Sequence, residues 1–169
     1  VKHLSGFGCR ILAYSYYEDE EVKKYAEYVS FEELIQKSDI ITLHVPGNDE
    51  NTHLIDETAF KKMKDGVIIV NTARGLIIDT QALIASLKNG KVGFAALDTF
   101  EGEVGLYYLN KETQRLDNDN MALLKSFPNV ILSPHMAFYT EQAVSDMVEN
   151  SIKGILGLES GEDNRLAVK

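Results

Sequence analysis

The stretch Val67-Ile68-Ile69-Val70-Asn71-Thr72-Ala73-Arg74-Gly75 constrains this chain more than any other, because four β-branched residues in a row stop at a polar tip ending in an arginine and a glycine. Such a run predicts a strand covered on both faces, as in a parallel sheet. Gly75 allows a turn, Asp79 or Thr80 can cap a helix, and Ala82, Leu83, Ile84, Ala85 and Leu87 form an apolar helical face ending at Asn89-Gly90. A strand, a polar tip and a helix make half of a βαβ unit, and in such sheets ligands gather beyond the carboxyl ends of the strands. Arg74 stands at that edge. An arginine there is permanently charged and shaped for bidentate contact with a carboxylate. The competing reading is a surface salt-bridge arginine.

The same alternation runs through the rest of the chain. Residues 1–8 read as the last turns of a helix closed by glycine, Cys9 to Tyr14 as a short strand ending at Ser15, and Glu18 to Glu21 as the acidic opening of a short polar helix. Ser30 with Glu33 is a capping-box pattern before a helix holding Leu34 and Ile35. Ile40 to Val45 predicts a strand halted by Pro46 and a loop from Gly47 to Asn51, and Asp56 opens a helix through Phe60 and Met63. Asp65-Gly66 turns the chain into the central strand. Val92 to Asp98 is the next strand, Thr99 to Pro128 reads as irregular and polar with a weak period at Met121-Ala122-Leu123-Leu124, and Asn129 to Ser133 is a last strand before Pro134-His135. Thr140 and Glu141 open a final helix, and a polar tail comes after Gly161. The pattern predicts an α/β chain with an open, mostly parallel sheet.

Charge and composition narrow the function. A formal net charge of -9 argues against a nucleic-acid or anionic-membrane surface, which would need clustered Lys and Arg. The single cysteine, Cys9, cannot form an internal disulfide; it fits a reducing compartment and reads as a small buried hydrophobe. No stretch approaches the roughly 20 apolar residues that span a bilayer, and none has signal-peptide layout. The expectation is a soluble cytoplasmic protein. No cluster has metal-ligand spacing, so no metal is expected.

Four predicted strands end in Val45-Pro46, Thr72-Ala73-Arg74, Asp98 and Pro134-His135, which brings a cation, a carboxylate and an imidazole to one sheet edge. A histidine moves protons near neutral pH, and a carboxylate on its second ring nitrogen fixes the tautomer. An arginine can hold a carboxylate and polarise a neighbouring carbonyl. Together they suit a 2-oxo acid, with Arg74 anchoring it, His135 supplying the proton and a cofactor the hydride. Asp98 and Glu103 compete as the histidine's partner, and the residues alone do not choose between them. His44 reads as a core histidine inside its strand, while His3 and His53 have no supporting context.

Residues 90–103, the Asn71-Thr72-Ala73-Arg74-Gly75 segment and Ser133-Pro134-His135-Met136-Ala137-Phe138-Tyr139-Thr140 together resemble the D-isomer-specific 2-hydroxyacid dehydrogenases, nearest their D-lactate and D-2-hydroxyisocaproate branch. The resemblance implies a Rossmann-like, doubly wound sheet with helices on both faces, NAD as cofactor, a small 2-oxo or 2-hydroxy acid as substrate, and a homodimer joined through the nucleotide-binding domains. It carries the catalytic arginine onto Arg74, the acid/base histidine onto His135 and its orienting glutamate onto Glu103. It sets Asp98 beside the nicotinamide, and Pro46, Asn51, Thr72 and Ala73 along the dinucleotide.

Two departures qualify the likeness. The family's Gly-x-Gly-x-x-Gly loop has no counterpart, since Gly6 and Gly8 come after a helix and precede a strand, the reverse of the required order. The expectation is an N-terminally truncated NAD-binding domain over residues 1–158, lacking its first strand and glycine loop, with residues 159–169 a tail leading towards a separate catalytic domain. Ser15 stands where the family usually carries the aspartate that binds both ribose hydroxyls. No cation directly succeeds Ser15, so NAD is favoured over NADP. The alternatives are a dinucleotide-binding regulatory module of the corepressor type and a domain inactive in isolation; Phe138-Tyr139-Thr140 resembles the lactate branch instead.

Overall fold

The computed structural model describes residues 1–107, 110, 113 and 118–160. Its helices are α1 (Lys2–Ser5), α2 (Glu20–Lys23), α3 (Phe31–Lys37), α4 (Glu57–Lys62), α5 (Thr80–Lys88), α6 (Asp119–Ser126) and α7 (Glu141–Ser160). Its strands are β1 (Leu12–Ala13), β2 (Glu27–Tyr28), β3 (Ile40–Leu43), β4 (Val67–Asn71), β5 (Val92–Leu97) and β6 (Val130–Leu132). Single 3-10 turns occupy Asp49–Asn51 and Gly75–Ile77. The expected tail beyond Gly161 lies outside the described residues. The chain divides into two compact units, Val1–Pro134 and His135–Lys169.

Among the described residues every strand pairing in the first unit is parallel. β1 pairs with β2, and the other four form a sheet in the order β3-β4-β5-β6. Because each crossover in that sheet leads to the adjacent strand and right-handed connections prevail, α4, α5 and α6 fall on one face. They pack against one another in series, with α5 on β5 and α6 on β6. This is the parallel α/β architecture the residue pattern predicts and the Rossmann-like fold the resemblance implies.

Local chemistry explains the helix starts. Ser30 accepts from the Glu33 amide at 3.1 Å, Asp56 from Ala59 at 2.7 Å, and Asp79 from both Gln81 and Ala82. Each satisfies an amide that the first turn leaves unpaired. The core lies between the sheet and this helical layer, where Ile41, Ile69, Val67, Ala95 and Leu97 meet Ile35, Phe60, Leu83 and Leu124.

Several local expectations are corrected. β4 is sealed on one face only: Val67, Ile69 and Asn71 are buried, whereas Ile68 and Val70 are half-buried. On that second face Ile40 is 59% and Ile131 58% exposed. Cys9 is exposed, because the strand expected from residue 9 begins only at Leu12. His44 lies past the end of β3, exposed, with Nε2 at 2.9 Å from Thr42 Oγ1. The stretch read as irregular after Thr99 contains α6, capped by Asn118 and buried through Met121 and Leu124.

β1 and β3 do not pair with each other, yet both line the same two grooves, of 390 Å³ and 530 Å³. Leu12, Ile41 and Thr42 face both.

Candidate active site

The edge at the carboxyl ends of β3, β4 and β5 is built around a buried asparagine. Asn71, fully buried at the end of β4, accepts the Ala73 amide through Oδ1 and donates to the Arg74 carbonyl through Nδ2, both at 3.0 Å. These bonds fold the tip back on itself, as asparagine does in tight turns. Thr72 and Arg74 are therefore left exposed and Ala73 half-buried. The Arg74 Nη1 donates to the Ala73 carbonyl at 2.7 Å. Its stem lies on Gly47 of the loop after β3, where a Cβ would come within 2.6 Å of Arg74 Cγ.

Gly75 is held more tightly still. A Cβ there would lie 2.2 Å from the Phe100 carbonyl carbon and oxygen and 2.6 Å from the Glu101 nitrogen, all of them backbone atoms. Overpacking of this kind costs about 1–3 kcal/mol. Gly75→Ala is expected to fall at the upper end of that range, read as a lowered urea midpoint at unchanged slope.

Beyond β5, Asp98 is 5% exposed and accepts the Ser133 hydroxyl at 2.5 Å, while its own amide donates to the Asn71 carbonyl at 2.8 Å. The ends of β4, β5 and β6 are thereby tied together. Glu103, half-buried in the loop after β5, accepts the Phe100 amide through Oε2 at 3.3 Å. Asn51 is 1% exposed; its amide donates to the Pro46 carbonyl at 2.9 Å, and its Oδ1 accepts the Tyr16 hydroxyl at 3.5 Å. Ser15 is exposed just past β1, its Oγ accepting the Tyr17 amide at 3.4 Å. Pro46, Asn51, Thr72, Ala73, Arg74, Asp98 and Glu103 thus share one rim of the first unit. His135 opens the second unit, half-buried and with φ 51, in the left-handed region.

Two features of this rim have no signal in the sequence pattern. Tyr107 meets Phe100 edge-on at a centroid distance of 6.3 Å, and its phenol is pushed above the ordinary range by burial first, then by the charges of Glu103 and Asp98. His53, which has no supporting context in the sequence, holds Glu101 at 2.8 Å between Nε2 and Oε1. Among the described residues no three His, Cys, Asp or Glu side chains gather where a metal could sit, and no helix is long and apolar enough to cross a membrane.

The chemistry of this edge fits a dinucleotide. A desolvated carboxylate fixed by a serine stands beside three backbone tips at the carboxyl edge of a parallel sheet. Residues 1–169 contain no Gly-x-Gly-x-x-Gly sequence, the loop that would cradle a pyrophosphate.

The pattern of the family described as D-isomer specific 2-hydroxyacid dehydrogenase, NAD binding domain, matches residues 1–137, and the chain belongs to that family. It is 46% identical over 160 residues to an aromatic 2-oxoacid reductase of Clostridium sporogenes, covering 94% of this chain and 48% of that protein. A D-specific alpha-keto acid dehydrogenase of Enterococcus faecium is 44% identical over 97% of this chain and 50% of its own length. Among solved structures, a D-lactate dehydrogenase of Treponema pallidum superposes with a TM-score of 0.95 at 37% identity, over 99% of this chain and 50% of that one. The D-lactate dehydrogenase of Lactobacillus jensenii with NAD+ gives 0.91 at 32% identity over the same shares. The chain spans about half the length of the relatives it matches.

Proposed function

We propose that this chain is the NAD-binding part of a longer D-2-hydroxyacid dehydrogenase that interconverts a 2-oxo acid such as pyruvate with its D-2-hydroxy acid. The observation that carries the reading is the rim itself: an exposed guanidinium whose strand tip is folded by Asn71 and whose stem rests on Gly47, at the same carboxyl edge of the sheet as the buried Asp98 and the half-buried Glu103. The relatives' names share a 2-oxo or 2-hydroxy acid and differ in its side chain. Those names favour an enzyme over a corepressor-type module.

In this reading Arg74 clasps the substrate carboxylate and draws electron density from the adjacent carbonyl, leaving its carbon electrophilic. His135 donates a proton to the carbonyl oxygen, and Glu103 accepts from the second ring nitrogen and stabilises the charged imidazole. NADH, when bound, supplies the hydride that reduces the carbon. One hydride and one proton convert C=O to CH–OH. Asp98 contacts the nicotinamide; Pro46, Asn51, Thr72 and Ala73 line the dinucleotide; Ser15 bonds the adenine-side ribose. The unpaired edges of β1 and β3 support a further strand between them, supplied by the longer protein and leading into the glycine loop. By itself the present chain then turns over little or no substrate. The longer protein works in the cytoplasm as a homodimer, without nucleic-acid or membrane partners.

The test is turnover by the full-length protein with NADH and with NADPH. NADH is the expected substrate, and Ser15→Asp should widen its advantage by about tenfold through charged hydrogen bonds to the ribose. A strong NADPH preference in the unsubstituted protein would overturn the cofactor assignment.

A further inference from the structure

One titratable pair on the rim has no role in hydride or proton transfer. His53 comes from the loop after β3 and Glu101 from the loop after β5, so the two are 48 residues apart. Between them lies the 3-10 turn Gly75–Ile77, whose leading flank is Arg74. The His53 amide donates to the Leu76 carbonyl at 2.8 Å. On its other side the turn abuts the Phe100–Glu101 peptide, at the contact that forbids a Cβ on Gly75. The bond from His53 Nε2 to Glu101 Oε1 then closes a bracket around the turn. His53 adopts φ 53, a strained left-handed backbone for a histidine that persists only where its surroundings hold it.

We propose that His53 and Glu101 form a protonation-controlled clamp on the turn that carries Arg74, making His53 a positioning residue for the arginine's grip on the substrate carboxylate. The proposal rests on the dehydrogenase reading. The charged groups acting on the imidazole are Glu101, then Asp79 and Asp56, all acidic; the hydrogen bond to Glu101 lifts its pKa most, and burial opposes the rise. A histidine raised in the folded state contributes its full attraction below its ordinary value and loses it as pH climbs through the raised one. Both side chains are about 40% exposed, so the clamp tunes the grip without holding up the fold.

The experiment uses the full-length protein and tracks KM and kcat for pyruvate from pH 5.5 to 9 in the parent, His53→Asn, Glu101→Gln and the double variant. Asparagine suits the left-handed backbone and removes the charge. Titration of the His53 ring by NMR in the parent and in Glu101→Gln accompanies the kinetics. The parent's KM should rise about threefold to tenfold as His53 deprotonates. Each single variant should show that raised KM already at pH 6, with the rise abolished, kcat little changed and the double variant no worse than either single. The His53 pKa should fall in Glu101→Gln. A parent-like KM profile in His53→Asn, additive effects in the double variant, or a His53 pKa unmoved by Glu101→Gln would each overturn the clamp while leaving turnover intact. Absence of any 2-oxo acid reduction would overturn the dehydrogenase reading and the positioning role with it, whatever the NMR titration reads.

Discussion

Arg74→Ala in the full-length protein is expected to lower kcat/KM for pyruvate about a thousandfold, most of it as a higher KM and the remainder as a lower kcat. A bidentate carboxylate contact comprises two charge-assisted hydrogen bonds of about 1.5–3 kcal/mol each, and each 1.4 kcal/mol is about a factor of ten. The KM share reports the carboxylate grip, and the kcat share reports polarisation of the carbonyl in the transition state. Arg74→Lys should recover only part of the loss, because an ammonium lacks the planar fork. The fold should be little affected, since the guanidinium is exposed and donates locally, to its neighbour's carbonyl. Wild-type-like reduction by Arg74→Ala would remove this residue from the mechanism.

The second large effect is expected at His135. Loss of a positioned general acid costs about 10²–10⁴ in rate, so His135→Ala should depress kcat by that order at neutral pH with a much smaller change in KM. Because His135 sits at φ 51, alanine also strains the backbone, and His135→Asn provides the control that keeps the left-handed geometry without the acid. Equal loss in both variants assigns the effect to proton transfer. Unaltered turnover in His135→Asn would contradict the assigned role.

The strands of the main sheet were legible because each is a contiguous apolar run ending at a polar tip, and that ending also singled out Arg74 and Asp98. Helix starts were legible through Ser30, Asp56 and Asp79, whose side chains cap as their chemistry predicts. α6 was not, because only Met121 and Leu124 of its eight residues are buried and the period is correspondingly faint. β2 is two residues long, too short for any alternation to register. Covering of β4 on both faces was over-read, since β-branched runs satisfy a half-buried strand equally well. Contacts made only by tertiary packing left no linear trace: the Gly75 wedge against Phe100, the Tyr107 ring near Asp98 and Glu103, and His53 joined to Glu101. His53 and His44 show this most plainly, as the first has a specific partner and the second stands exposed beyond its strand.

The most direct measurement incubates the full-length protein with NADH and pyruvate and resolves the product on a chiral column. D-lactate is expected in a one-to-one ratio with NADH consumed, and at least a hundredfold less of it in Arg74→Ala or His135→Ala at matched enzyme and time. L-lactate as the product, or NADH oxidation that does not depend on a 2-oxo acid, would contradict the assignment of this chain to a D-specific dehydrogenase.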